Sequence, residues 1–153
     1  MTSFDSLLEC AGTWEGDNRV QVEIGAPIEA SPSRLVVTPV LRDTFVHFDH
    51  TWSWKDEPQI GAMLVGYDPK SAEASIHWID TWHNGRRVMP LVGRFEPQGA
   101  LVAHGHFPVA NSPDWGWRIE IRLDGDRLKI DMFCLDPGGT KEEGYVWMSF
   151  ARA

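Results

Sequence analysis

The stretch WGWRIEIRLDG constrains this chain more than any other. Trp115, Trp117, Ile119, Ile121 and Leu123 alternate with Gly116, Arg118, Glu120 and Arg122. A two-residue period places the apolar side chains on one face of a β-strand and the charged ones on the other. Asp124-Gly125 supplies the positive φ angles of a tight turn. The chain then returns as RLKIDMFCL, with Leu128, Ile130, Met132 and Cys134 alternating against Lys129 and Asp131. The pattern predicts an antiparallel hairpin with one face buried. Its other face carries Arg118, Glu120, Arg122, Lys129 and Asp131 as solvated cross-strand pairs, each worth about 0.2–1 kcal/mol.

The same alternation recurs along almost the whole chain and predicts about ten strands. They fall near 13–24, 34–41, 44–54, 60–67, 74–82, 87–95, 100–107, 115–123, 127–135 and 144–152. Asp68-Pro69, Asn84-Gly85, Gln98-Gly99 and Asp136-Pro137-Gly138-Gly139 mark turns between them. Only the segment from Phe4 to Cys10 has helical spacing, with Phe4, Leu7 and Leu8 on one side. Pro39 and Pro90 fall inside two of the strands, where a missing N–H weakens pairing. With 153 residues and no linker or repeat, residues 1–153 read as one domain. The fold class is all-β: a sandwich or a closed antiparallel barrel.

If consecutive strands pair, the chain is an up-and-down meander, and the loops sort into two ends. Connections at 42–43, 68–73, 96–99 and 124–126 share the end where the first strand begins, and they are short. Those at 25–33, 55–59, 83–86, 108–114 and 136–143 share the opposite, upper end. Three of these are long and rich in Gly or Pro. A barrel with one tight end and one loop-rich end is expected to receive a ligand at the latter.

Fourteen Lys and Arg stand against 22 Asp and Glu, a net charge of −8, with no basic stripe. Nucleic acid is therefore not an expected partner. The N-terminus MTSFDSLLEC lacks the basic and apolar regions of a secretory signal, and no apolar run is long enough to span a bilayer. With only Cys10 and Cys134, at no metal-ligand spacing, the expectation is a cytoplasmic protein with two free thiols and no membrane association.

Eight tryptophans exceed what a core of this size requires, since each can bury on the order of 200 Å². On the third strand His50, Trp52 and Trp54 share a face with Val46 and Phe48. On the fifth, Trp78, Asp80 and Trp82 share one with Ile76, and on the eighth Trp115 and Trp117 lead the apolar face. Strand direction sends most of these to the upper end. The expected ligand-binding set is His50, Trp52, Trp54, Trp78, Asp80, Trp82, Trp115 and Trp117: an aromatic collar around two polar groups. The plain alternative is that the indoles are core. An inward carboxylate at Asp80 needs a salt bridge, water or a ligand. His50 is placed to pair with Asp80 as an acid–base couple. No matched nucleophile accompanies them. His104 and His106 share a face, but two ligands do not make a metal site, and Leu101, Ala103 and Phe107 take the inner face instead.

Gly12-Thr13-Trp14 opens the first strand, and Arg152 closes the last. In a closed barrel those strands are neighbours, so Arg152 can stack on the Trp14 indole and seal the floor. Together with Gly66-Tyr67-Asp68-Pro69, His77-Trp78-Ile79-Asp80 and Asp136-Pro137-Gly138-Gly139, these residues resemble a bacterial lipocalin-like family of unknown function. The opening and closing motifs resemble those of the lipocalins and the intracellular fatty-acid-binding proteins. The resemblance implies a lipocalin-like barrel with Gly12, Trp14 and Arg152 as its structural floor. It departs from the fatty-acid binders on the last strand, where Met148 and Phe150 replace their Arg-x-Tyr carboxylate clamp.

The leading expectation is binding of a small apolar or aromatic molecule, with no cofactor. Some lipocalin-like barrels of similar length and opening signature, the nitrobindins, hold haem through one histidine; no matching haem motif is present here, and His50 is the inner-facing candidate for that alternative. An acid–base enzyme using His50 and Asp80 is another. A pocketless interaction domain would have to use a patch around Tyr145 and Trp147.

Overall fold

A computed structural model describes residues 2–153. A short helix, α1 (Phe4–Leu8), precedes ten strands: β1 (Gly12–Gln21), β2 (Glu29–Val40), β3 (Phe45–Trp54), β4 (Glu57–Asp68), β5 (Glu73–Asp80), β6 (Met89–Phe95), β7 (Ala100–Phe107), β8 (Trp115–Asp124), β9 (Arg127–Leu135) and β10 (Glu142–Arg152). Each pairs antiparallel with its neighbour in sequence, and β1 also pairs with β10, so the sheet closes on itself. Closure removes the free edges at which sheets otherwise aggregate. The up-and-down barrel expected from the alternation is the fold. No helix among the described residues is long and apolar enough to cross a membrane.

Inward-facing Leu35, Phe48, Met63, Ile76, Ile119 and Ile130 are all essentially inaccessible to solvent. The 115–135 hairpin forms as its pattern dictates, with Ile121 opposite Ile130 inside. Outside, Arg122 pairs with Asp131 at 2.6 Å, and Arg118 reaches Glu142 at 2.8 Å.

Several boundaries differ from the sequence expectation: β1 ends at Gln21 rather than 24, β6 begins at Met89 rather than 87, β10 begins at Glu142 rather than 144, and three more differ for identifiable reasons. β2 starts at Glu29 rather than 34, because the small polar Ser31 and Ser33 take inward positions and are buried. Residues 55–59 are not a loop: Lys55 and Asp56 alone make the turn, with φ 48° and 69°, and β4 begins at Glu57. β5 stops at Asp80 instead of 82 and β6 starts at Met89 instead of 87, which together lengthen the upper connection to 81–88. Pro39 sits beyond Val37, the last β2 residue paired with β1, so its missing N–H costs no bond on that side.

The lower end is sealed. Trp14 lies opposite Arg152 across the closing seam. The Arg152 guanidinium sits 4.6 Å from the Trp14 ring centre and donates to the carbonyls of Ala11 (3.0 Å) and Glu9 (2.6 Å). Trp14 Nε1 donates to Cys10 O at 2.8 Å. Gly12 adopts φ +126°, a conformation that L side chains rarely take, and Arg152 Nη1 lies against it. Beneath, α1 buries Leu7 completely and is held by a reciprocal Ser3–Ser6 capping box. Arg152→Ala is expected to lower stability by about 1–2 kcal/mol, through the lost cation–π contact and the two abandoned carbonyls. Arg152→Lys should recover only part, since an ammonium cannot serve both carbonyls and stack. Urea unfolding of both variants checks this.

Candidate functional site

Asp80 ends β5 and sets the path of the chain beyond it. Its Oδ1 accepts the backbone N–H groups of Trp82 (2.8 Å) and His83 (2.9 Å). A carboxylate capturing N–H groups two and three residues on is an Asx turn, which stops the strand and curls the chain. The turn carries Trp82 and His83 back over the barrel mouth. His83 Nδ1 then meets the same Oδ1 at 3.0 Å, and Trp52 Nε1 donates to Oδ2 at 3.2 Å. Burial pushes the Asp80 carboxyl up, but the His83 hydrogen bonds and charge and the Trp82 N–H more than offset this and hold it below the ordinary carboxylate range.

Four indoles enclose the His83 imidazole. Ring-centre separations are 4.6 Å to Trp82, 5.3 Å to Trp78, 5.5 Å to Trp52 and 5.6 Å to Trp117. Trp78 and Trp117 stack on each other at 5.1 Å with planes 14° apart. The carboxylate on Nδ1 selects the tautomer that leaves Nε2 as an acceptor. Among the described residues the ring's one hydrogen bond is through Nδ1, and none engages Nε2.

Beside this cluster lies an upper chamber of about 520 Å³. Trp78, Trp82, His83, Met89, Phe107 and Trp117 form one wall. Val20, Cys134, Tyr145 and Val146 form the other, where β1, β9 and β10 reach the upper end. Asn84, Arg87 and His106 stand at the rim. The indole N–H groups of Trp78 and Trp117 are buried without a partner among the described residues. Burial, with Glu143 adding, pushes the Cys134 thiol up to about 11, so it offers no thiolate to the chamber.

The expected aromatic collar is therefore divided. Trp78, Trp82 and Trp117 line the chamber, and Asp80 stands directly behind His83. Trp52 is spent on the Asp80 hydrogen bond. Trp54 is half-buried against Trp82 at 4.8 Å, under Lys55. Trp115 is half-buried at the rim, its Nε1 donating to Ser112 Oγ at 3.3 Å. Neither Trp54 nor Trp115 reaches the chamber.

His50 does not reach it either. Its ring is buried beneath the dyad, where Gly61 leaves room for it: a side chain at 61 would run into both the His50 ring and Asp80 Oδ2. His50 makes no hydrogen bond to Asp80, and its Nδ1 has no partner among the described residues. The residue coupled to Asp80 is His83, which hydrophobic periodicity does not single out. Alternation carries the fifth strand through Trp82 and hides the one signal that points to His83, the Asx turn available to Asp80-Thr81-Trp82-His83. His104 and His106 lie on the outer face of β7, with His106 at the chamber rim. Among the described residues, no three His, Cys, Asp or Glu side chains gather as metal ligands.

Fold and site together define a closed ten-stranded β-barrel, sealed below, with a tryptophan-walled chamber and an Asp–His dyad at its loop-rich end. The chain belongs to the family described as protein of unknown function DUF1579, whose model matches residues 3–152. No curated protein matches its sequence.

Proposed function

We propose that this protein is a lipocalin-like carrier or sensor that holds one small, flat, apolar or aromatic molecule in the upper chamber. The observation that carries this reading is the chamber itself. Its 520 Å³ falls in the ordinary range for small-molecule sites, and its wall is a stacked pair of indoles with a third indole and Phe107 beside them. Offset stacking between indoles is the surface on which another planar ring packs well. A fatty-acid ligand gripped at the last strand has no support, because Met148 and Phe150 are buried core residues. A cytoplasmic location accords with the sequence expectation and with free Cys10 and Cys134.

Two further readings pass from His50 to His83, a residue of the chamber wall whose Nε2 makes no hydrogen bond to the described residues. Haem could be ligated there, with Asp80 orienting the ring as carboxylates do behind metal-bound histidines. Acid–base chemistry could use the same nitrogen.

The test is a fluorescence titration with the neutral probe N-phenyl-1-naphthylamine, alongside haemin. Saturable one-site binding is expected. Val146→Trp, which fills the chamber from β10, should weaken it at least about tenfold, whereas Trp115→Phe should leave it within about twofold. Binding untouched by Val146→Trp would place the ligand elsewhere. A shifted Soret band that His83→Gln abolishes would transfer the weight to haem.

A further inference from the structure

We propose that the chamber selects a ligand bearing an acidic hydroxyl, a phenol or an enol, and that His83 Nε2 takes its proton. The inference rests on the reading that the chamber holds a planar aromatic molecule, and it names the polar group that molecule carries.

The chamber's polar inventory is lopsided. Its 18 lining residues include no Asp or Glu, in a chain with 22 of them. Asp80 is buried behind His83 and occupied by Trp52, Trp82 and His83, while Glu142 and Glu143 lie outside the lining, behind Tyr145 and Cys134 on the far wall. The remaining ionisable groups around it are Arg87 and His106 at the rim, Cys134 and Tyr145 on the far wall, and the buried His50 below. Arg87 forms no ion pair among the described residues. The site therefore offers one fixed acceptor, His83 Nε2, and one cation without an ion-pair partner among the described residues, Arg87 at the rim; the Trp78 and Trp117 indole N–H groups are shut away from the chamber.

One kind of atom meets both requirements. A hydroxyl can donate to an imidazole while its oxygen accepts from a guanidinium. A carboxylate would satisfy Arg87 but leave Nε2 unmet. A hydrocarbon would satisfy neither, leaving Nε2 covered and unpaired at about 1–3 kcal/mol. With an acidic hydroxyl the exchange can go further. The ligand O–H bond breaks, an N–H bond forms on Nε2, and the electron pair stays on oxygen. The imidazolium is held against the Asp80 carboxylate, and the oxyanion faces Arg87. A dyad of this kind gains most when proton and charge move together, because both resulting charges have preorganised partners.

The experiment compares 3-nitrophenol with its methyl ether 3-nitroanisole at a pH one unit below the free phenol's own pKa, which lies above the ordinary imidazole range. The two differ by one methyl group, and only the phenol changes colour on losing its proton. In the wild type the phenol should bind at least about tenfold tighter than the ether, and the bound phenol should absorb as phenolate. His83→Gln should reduce the preference to about twofold or less and remove the phenolate band, while the ether still binds. Asp80→Asn should shrink the phenolate band while the ether's affinity stays within a few-fold, an effect that loss of shape alone would not produce. Equal affinity for phenol and ether in the wild type would overturn the proposal and leave the apolar chamber standing. So would a preference that survives His83→Gln. Binding of neither compound would remove both readings together.

Discussion

Asp80→Ala is expected to destabilise the protein by about 3–5 kcal/mol, more than any other single truncation at the upper end. The carboxylate is 5% exposed and accepts four hydrogen bonds, from two backbone N–H groups, an imidazole and an indole. Removing it leaves four donors facing an apolar hole, each carrying its desolvation cost. The loss is also topological, because the same atoms end β5 and fold residues 81–88 over the mouth. Asp80→Asn separates the two contributions. Its single carbonyl can still serve the backbone N–H groups, but its amide nitrogen would then face Trp52 Nε1, donor against donor, for a loss of about 2 kcal/mol. Urea unfolding gives both values, and the Trp52 indole N–H resonance should shift in each variant. A loss under about 1 kcal/mol for the alanine would mean that water replaces the carboxylate freely and that the loop needs no anchor.

The contrast between Asp80 and the 115–135 hairpin shows what a sequence of this kind reveals. In the hairpin, hydrophobic period, charge alternation and turn chemistry all agree, and β8 and β9 match the expected bounds within one residue. The floor is legible for a topological reason: once the strands alternate, the first and last residues of the sheet must meet, and Trp14 faces Arg152. At β5 the signals conflict. Ile76, Trp78, Asp80 and Trp82 keep a period of two, yet the last of them lies outside the strand, because a side-chain oxygen outcompetes the ladder for the next N–H groups. β2 fails in the opposite sense. Ser31-Pro32-Ser33 looks like a loop and is a strand, because small polar residues can face inward where neighbouring strands crowd the interior. The chamber wall is half legible for the same reason. Periodicity identifies a face, but which indoles border the cavity depends on where a loop turns back.

Acid should expose the other buried histidine. Desolvation lowers the His50 pKa from 6.5 to about 4, with Asp80 opposing and His83 reinforcing that shift. The unfolded chain takes up this proton as pH falls through 6.5, whereas the folded chain refuses it until about pH 4. Between those values the unfolded state binds more protons, so stability falls with pH, and below the folded value the loss levels off. At 1.36 kcal/mol per unit, the full loss is about 3 kcal/mol. Asp80, held below its ordinary value of 3.8, begins to lose its own stabilisation only at the acid end of this window and loses most of it under more acidic conditions. The window thus belongs to His50 rather than to its neighbour. His50→Leu, similar in size and without a titrating group, should lack this component: urea unfolding at pH 7, 5.5 and 4.5 should show the wild type weakening by about 2–3 kcal/mol more than the variant. Parallel curves would show that the His50 ring meets water. In that case Gly61 would give access to solvent and not simply room for the ring, and the interior beneath the dyad would be wet.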